Sequence, residues 1–195
     1  MSATIDPTPV PEQPGAARFG TLTWVPALDR RDLLAAPVVA ALEVFAGADR
    51  VLVAEIDPDL ADTAAMTEAY ELPLSASVNC VLVAGKRAGE ERVAACAVRA
   101  TTRADVNATV RKLLDVRKAS FWPTDQTVVA SGMEYGGITP IGVPDAWRLL
   151  VDGAAAEGPA IIGSGLRRSK ILLPGEVLAA LPRAEVVDGL GLPVA

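Results

Sequence analysis

Leu33, Leu34, Val38, Leu42 and Phe45 recur at the three- and four-residue spacing of one helix face, which predicts a helix over Arg31 to Ala46. Asp29 or Asp32 stands near its start, Gly47 is its stop, and Pro37 shortens it. Val51 to Glu55 follows as a short apolar strand, and Asp57 to Tyr70 as a helix with Pro58 in its first turn. The clearest β pattern is the pair Val78 to Ala84 and Arg92 to Ala100, joined by the turn-rich Gly85 to Glu91. Both arms are apolar on both faces, so the hairpin is expected inside a sheet covered on each side. A turn centred near Ala88 places Cys80 opposite Cys96, where an occasional disulfide is permitted, although two small, reduced, buried residues are the ordinary expectation.

Beyond the hairpin, Thr102 to Leu114 is predicted as a helix opened by a hydroxyl or Asp cap, with Arg111 and Lys112 suiting its C-terminal dipole. Lys118 to Phe121 reads as a short strand and Pro123 to Ser131 as a helix. Strands near Leu149 to Val151 and Ala160 to Gly163, then a short helix from Pro174 to Leu181, complete the series. Helices and strands alternate but a hairpin is present, so the fold class is α+β, a mixed, largely antiparallel sheet flanked by helices. Residues 1–18, proline-rich and without periodicity, read as a disordered tail. Residues 19–195 read as one domain, with 19–50 an extra N-terminal segment and 51–190 the core.

Charge and composition narrow the chemistry. The 195 residues carry a formal charge of −6, which argues against broad nonspecific binding to nucleic acid but allows a small basic patch. No apolar run is long enough to span a bilayer, and the N-terminus has no signal-peptide pattern, so a cytoplasmic protein without membrane attachment is expected. Histidine is absent, which removes the commonest general base and the commonest zinc ligand. Two cysteines cannot form a structural zinc site by themselves; no metal and no cofactor is expected.

Two glycine-rich loops remain as candidate chemistry. Gly132 to Gly142 reads GMEYGGITPIG, a side-chain-poor loop in which backbone N–H groups can approach a ligand. Gly163-Ser164-Gly165 follows an apolar run and precedes Arg167, Arg168 and Lys170. There is no phosphate-binding P-loop and no dinucleotide fingerprint, and Ser164 lacks both the nucleophile-elbow glycines and any histidine to activate it.

Val116 to Phe121, Gly132 to Gly142 and Ile162 to Gly165, in that order and spacing, resemble the YbaK family of aminoacyl-tRNA editing domains, a domain also found inserted in bacterial prolyl-tRNA synthetases. The resemblance runs from about Asp57 to Leu181 and implies that family's mixed sheet with flanking helices. It implies hydrolysis of the ester of a mischarged aminoacyl-tRNA, with Cys or Ala on proline tRNA as leading substrates and water or a ribose hydroxyl taking part directly. An ester is already activated, so oxyanion stabilisation matters more than a strong nucleophile, and the missing histidine is no obstacle.

By the same resemblance, backbone amides at Gly136 and Gly137 would polarise the carbonyl, and Lys118 would add charge. Ser120, Phe121, Thr139, Pro140, Gly142, Gly163, Ser164 and Gly165 would surround the substrate, with Val81, Phe121 and Ile138 as its lining. Arg167, Arg168 and Lys170 would touch the acceptor-end phosphates, and an aminoacyl-tRNA synthetase is a further possible partner. One departure stands out: where many relatives carry a lysine at the start of the first long strand, this chain has Asn79, which orients a carbonyl but supplies no charge. Lys118 or Lys170 would have to compensate; otherwise the chain is a binding module that kept the pocket without turnover, or an interaction protein on the same fold.

Overall fold

The computed structural model describes residues 17–194. The segment assigned to a disordered tail lies outside the described residues up to 16, whereas Ala17 and Arg18 already begin the first strand. Two five-stranded sheets form the body. The first joins β1 (Ala17–Phe19), β2 (Leu22–Pro26), β3 (Leu52–Glu55), β10 (Ser169–Pro174) and β9 (Pro159–Gly163) in that spatial order, every pair antiparallel. The second joins β11 (Ala184–Val187), β8 (Arg148–Asp152), β5 (Glu90–Arg99), β4 (Val78–Arg87) and β7 (Ala119–Phe121), with β8 parallel to both of its neighbours. Short β6 (Thr102–Ala104) pairs with β12 (Gly191–Pro193). The fold is the mixed, largely antiparallel α+β arrangement that the pattern predicts.

Three apolar cores hold the layers. The largest contains Val78, Leu82 and Ala95 from the hairpin, Val53, Ile162 and Ile171 from the first sheet, and Val38 and Leu42 of α1 (Ala36–Val44). A second gathers Trp24, Leu52, Ile161 and Leu172 under Met66 of α2 (Thr63–Ala69). The third packs Val83, Cys96 and Val98 against Val106, Val110 and Leu114. The hairpin is thus covered on both faces, as its continuous apolar arms require. Residues 19–50, read as an extra segment, supply Trp24, Leu33, Val38 and Leu42 to two of these cores.

The hairpin turn is tighter than predicted: Ala88 and Gly89, both at positive φ, close a two-residue loop between paired Arg87 and Glu90. That shift of the turn's centre pairs Cys80 with Ala97 and Val81 with Cys96. The two cysteines therefore face opposite sides of the sheet and do not oppose one another, because side-chain direction alternates with every residue. Both are free thiols.

Two predicted helices are divided. Asp57 accepts from the Asp59 N–H (2.9 Å) to cap a short turn at Pro58–Leu60, and α2 begins only at Thr63. Thr102–Ala104 is strand, not helix; the helical stretch opens at Asp105, whose carboxylate accepts from the N–H groups of Ala108 (3.1 Å) and Thr109 (3.0 Å). It runs through one π turn at Val106–Val110 into α3 (Arg111–Leu113). The predicted helix near 123–131 is α4 (Thr124–Ser131), and the one near 174–181 is α5 (Gly175–Ala179).

Candidate functional site

The two sheets meet at a single parallel bridge, Ser77 to Ile161. Beyond it no further ladder among the described residues joins β9 to β4, and β7 pairs with β4 only at Val83 to Gly85. A cavity of about 300 Å³ occupies this gap. Val78, Cys80 and Val81 of β4 and Ile161 and Ile162 of β9 form its walls, with Met66 from α2 and Ile138 from the glycine loop. Its polar groups are Asp62, Thr63, Ser77, Asn79 and Lys170, and Tyr135 and Gly136 stand at the mouth.

The glycine loop reaches this position through main-chain contacts. Gly163 lies at the end of β9 opposite Lys170 on β10, and a Cβ there would come within 2.2 Å of the Gly137 carbonyl oxygen and 2.5 Å of that of Ile138. Only glycine allows the loop to rest on the strand. The Gly165 N–H donates to the Gly137 carbonyl (2.7 Å), the Glu134 N–H to the Gly165 carbonyl (2.8 Å), and the Arg167 N–H to the Glu134 carboxylate (2.7 Å).

Lys170, expected beside Arg167 and Arg168 at the acceptor-end phosphates or as the lysine that compensates for Asn79, takes a place apart from those two arginines. It is 7% exposed, inside the cavity, and its Nζ donates to the Gly136 carbonyl oxygen at 3.0 Å. Burial, with the nearby Arg167 charge, lowers its pKa from 10.5 to about 8, while the Asp62 carboxylate pulls the other way. Across the cavity, Asn79 Oδ1 accepts from the Thr63 hydroxyl at 2.9 Å, which leaves the amide NH2 as the donor for a ligand. Asp62 occupies the N-cap position of α2 but makes no cap hydrogen bond, so its carboxylate stays available at the rim. Cys80, half-buried, is no thiolate nucleophile: burial raises its pKa well above the ordinary thiol value.

Of the residues expected at the site, Asn79, Gly136, Gly163 and Lys170 line one cavity. Gly137 lies directly behind, but its N–H donates to the Glu134 carbonyl (3.0 Å) and is unavailable to a carbonyl of substrate. Gly136 presents its carbonyl, not a donor, to Lys170. Lys118 and Ser120 are exposed at β7, and Phe121 is 66% exposed there, outside the cavity lining that also includes Val81 and Ile138. Thr139 is buried, while Pro140 and Gly142 border a separate apolar groove against α1. Ser164 is buried and bonded to the Ser169 hydroxyl (2.7 Å), and Gly165 packs on Ala35. Arg167 lies over the Tyr135 ring at 5.8 Å, and Arg168 donates to the Asp32 carbonyl.

Sequence reasoning missed Asp62, Thr63, Met66, Ser77 and Tyr135. Asp62 and Thr63 reach the cavity because the 57–70 helix is broken, and the Asp-Leu-Ala-Asp-Thr run, with its second cap-type residue at Asp62, is the signal that marks the break. Among the described residues no three His, Cys, Asp or Glu side chains cluster as metal ligands, and no helix is long and apolar enough to cross a membrane.

Lys170 of β10 and Asn79 of β4 thus line one cavity between the two sheets of a mixed α+β fold. Residues 57–181 match the family model described as aminoacyl-tRNA editing domain, and the chain belongs to that family. No curated protein matches the sequence. Among solved structures, one reported for epitope backbone grafting onto scaffold proteins has a TM-score of 0.67 at 19% identity, covering 79% of this chain and 95% of the other. A proposed trans-editing enzyme for prolyl tRNA synthetase has a TM-score of 0.64 at 18% identity, covering 78% and 93%. A hypothetical protein, APE2540, follows at 0.62 and 17%, covering 72% and 90%. These likenesses establish the shared fold.

Proposed function

We propose that the protein hydrolyses the ester joining an amino acid to the 3′ end of a mischarged tRNA, and that Lys170 and Asn79 form the polarising pair. The observation that carries this reading is the buried Lys170 ammonium, which has one hydrogen-bond acceptor among the described residues, the Gly136 carbonyl, inside a cavity of aminoacyl size. The ester carbonyl oxygen sits between Lys170 Nζ and the Asn79 amide. Water, passing its proton to the neighbouring ribose hydroxyl as relay, attacks the carbonyl carbon; a C–O bond forms and the carbonyl oxygen becomes an oxyanion facing the ammonium. The ester C–O bond then breaks, the departing ribose oxygen takes the proton lost by the nucleophile, and free amino acid leaves. A well-placed donor to such an oxyanion contributes about 3 kcal/mol, enough to matter for an already activated ester.

Around the reacting centre, the Asp62 carboxylate suits the substrate's α-ammonium, and exposed Tyr135, with Arg167 on its ring, offers a ledge on which a terminal base stacks. Proline tRNA carrying a small wrong amino acid, a class that includes Cys and Ala, is the leading substrate, and Lys170, arriving from a different strand, stands in for the lysine that many relatives carry at the Asn79 position. The second reading, a binding module without turnover, is favoured by Asn79 and by the formal charge of −6.

Incubation with proline tRNA charged with Ala, Cys, Ser or Pro separates the two. Selective ester loss above the no-protein control is expected, and a flat panel with retained tRNA binding sinks the hydrolase. Asn79→Lys should lower the rate, since a second ammonium would face Lys170; a large gain would instead mark a lost catalyst.

A further inference from the structure

We propose that Ser77 reads the side chain of the bound aminoacyl group and selects hydroxyl-bearing amino acids, serine foremost, over alanine. The inference rests on the site assigned above and names its substrate class. Ser77 lines the cavity, is 2% exposed, and its Oγ has no hydrogen-bond partner. The other buried side-chain atoms without partners among the described residues belong to Trp122, Thr127 and Thr139, none of which lines this cavity. A buried hydroxyl with no protein partner, lining a cavity, is free to bond one polar atom of a ligand.

The main chain around Ser77 is saturated, so its free hydrogen-bonding capacity lies in the side chain. Its N–H donates to the Leu74 carbonyl (3.1 Å), its carbonyl accepts from the Ala100 N–H (2.8 Å), and the preceding Ala76 carbonyl accepts from Arg99 (3.2 Å). The residues deepest in the cavity beside it, Met66, Ile161 and Ile162, are apolar and at most 2% exposed, and provide no partner.

Position fixes what the hydroxyl would meet. Exposure rises from Ser77 through half-buried Asn79 to exposed Asp62 and Tyr135, which puts Ser77 at the floor and the ester at the level of Asn79. Two residues along an extended chain span about 7 Å, a distance filled by the short path from an ester carbonyl to a β-hydroxyl plus a hydrogen bond at each end. An alanyl group leaves Ser77 unpaired, whereas a seryl group completes it. Sites that hydrogen-bond a substrate hydroxyl discriminate strongly against the analogue without it.

The test pairs turnover with binding. The kcat/KM ratio for Ser- over Ala-charged proline tRNA is measured for the natural protein and for Ser77→Ala. Calorimetry then compares amide-linked, non-hydrolysable seryl- and alanyl-adenosine on both proteins. A seryl preference of about tenfold or more that collapses in Ser77→Ala supports the assignment. If no ester is cleaved but the seryl analogue binds tighter in a Ser77-dependent way, the hydrolase reading fails while the Ser77 assignment stands. Turnover without seryl preference, a preference that survives Ser77→Ala, or analogues that bind equally or not at all, overturns the assignment.

Discussion

Lys170 shows how much one side chain can change the reading of a chain. Beside Arg167 and Arg168 it looks like part of a solvated basic face, yet on an alternating strand it turns inward opposite Gly163. Holding it charged at neutral pH, with its pKa lowered from 10.5 to about 8, disfavours folding by about 3 kcal/mol. The sign of the linkage follows: between about pH 8 and 10.5 the unfolded chain binds a proton that the folded one does not, so stability rises with pH across that window. The proposed deacylation should have the opposite dependence. The ammonium persists below about pH 8, so the enzymatic rate, corrected for spontaneous ester loss, should decline as pH rises through about 8. Lys170→Met is expected to raise the melting temperature at neutral pH while removing most deacylation. A lowered melting point with full activity would show the lysine to be structural.

At the scale of elements, the decisive contact is a loop resting on a strand. Gly163→Ala forces the Gly137 and Ile138 carbonyls away from a Cβ at 2.2–2.5 Å, and so pulls the Gly136 carbonyl from Lys170. We expect a loss of about 1–3 kcal/mol in urea unfolding together with strongly reduced deacylation; an unchanged midpoint would mean that the loop does not depend on this approach. Gly137→Ala is no clean probe of catalysis, since its Cβ would lie 2.5 Å from the Leu166 backbone and disturb folding as well. The elements legible beforehand, namely the hairpin, α4, β8, β9 and α5, each announce themselves by a local run and a local stop. β10 did not, because its apolar Ile171-Leu172-Leu173 core is prefaced by charges that read as surface. β6 and β12 are three residues each and exist through mutual pairing across almost ninety positions, beyond any local pattern.

For the whole molecule, the site depends on parts far from it. Arg99, 8% exposed, donates to the carbonyls of Ala76 (3.2 Å), Ala154 (3.1 Å), Pro159 (2.7 Å) and Glu157, tying the end of β5 to the segment that leads into β9. Because Ala76 precedes Ser77, the same guanidinium secures the cavity floor. Arg99→Met should cost about 3 kcal/mol or more, as several carbonyls lose their donor in a buried setting. Thermal unfolding checks this, and an unchanged transition would refute the tie. The N-terminal segment, outside the family match, has an equal part. The Ala35 N–H donates to the Ser164 carbonyl (3.1 Å) and the Ser169 hydroxyl to the Leu33 carbonyl (2.6 Å), so residues 19–50 brace both strands that carry Gly163 and Lys170.

What the amino-acid order settled unaided is the class of fold and the family: alternating helix and strand periods, a hairpin apolar on both faces, and glycine loops at the spacing of an editing domain. These are local or compositional properties, readable within a window of neighbours. Which side chains share the cavity was decided by the tertiary structure alone. A change in the turn's centre separated Cys80 from Cys96, a break before Thr63 brought Asp62 and Thr63 to the rim, and antiparallel pairing carried Lys170 to the Gly136 carbonyl. Strand register alternates the facing of every side chain and is set by partners distant in the chain, so the site's lysine became recognisable only once β9, β10 and the glycine loop were assembled.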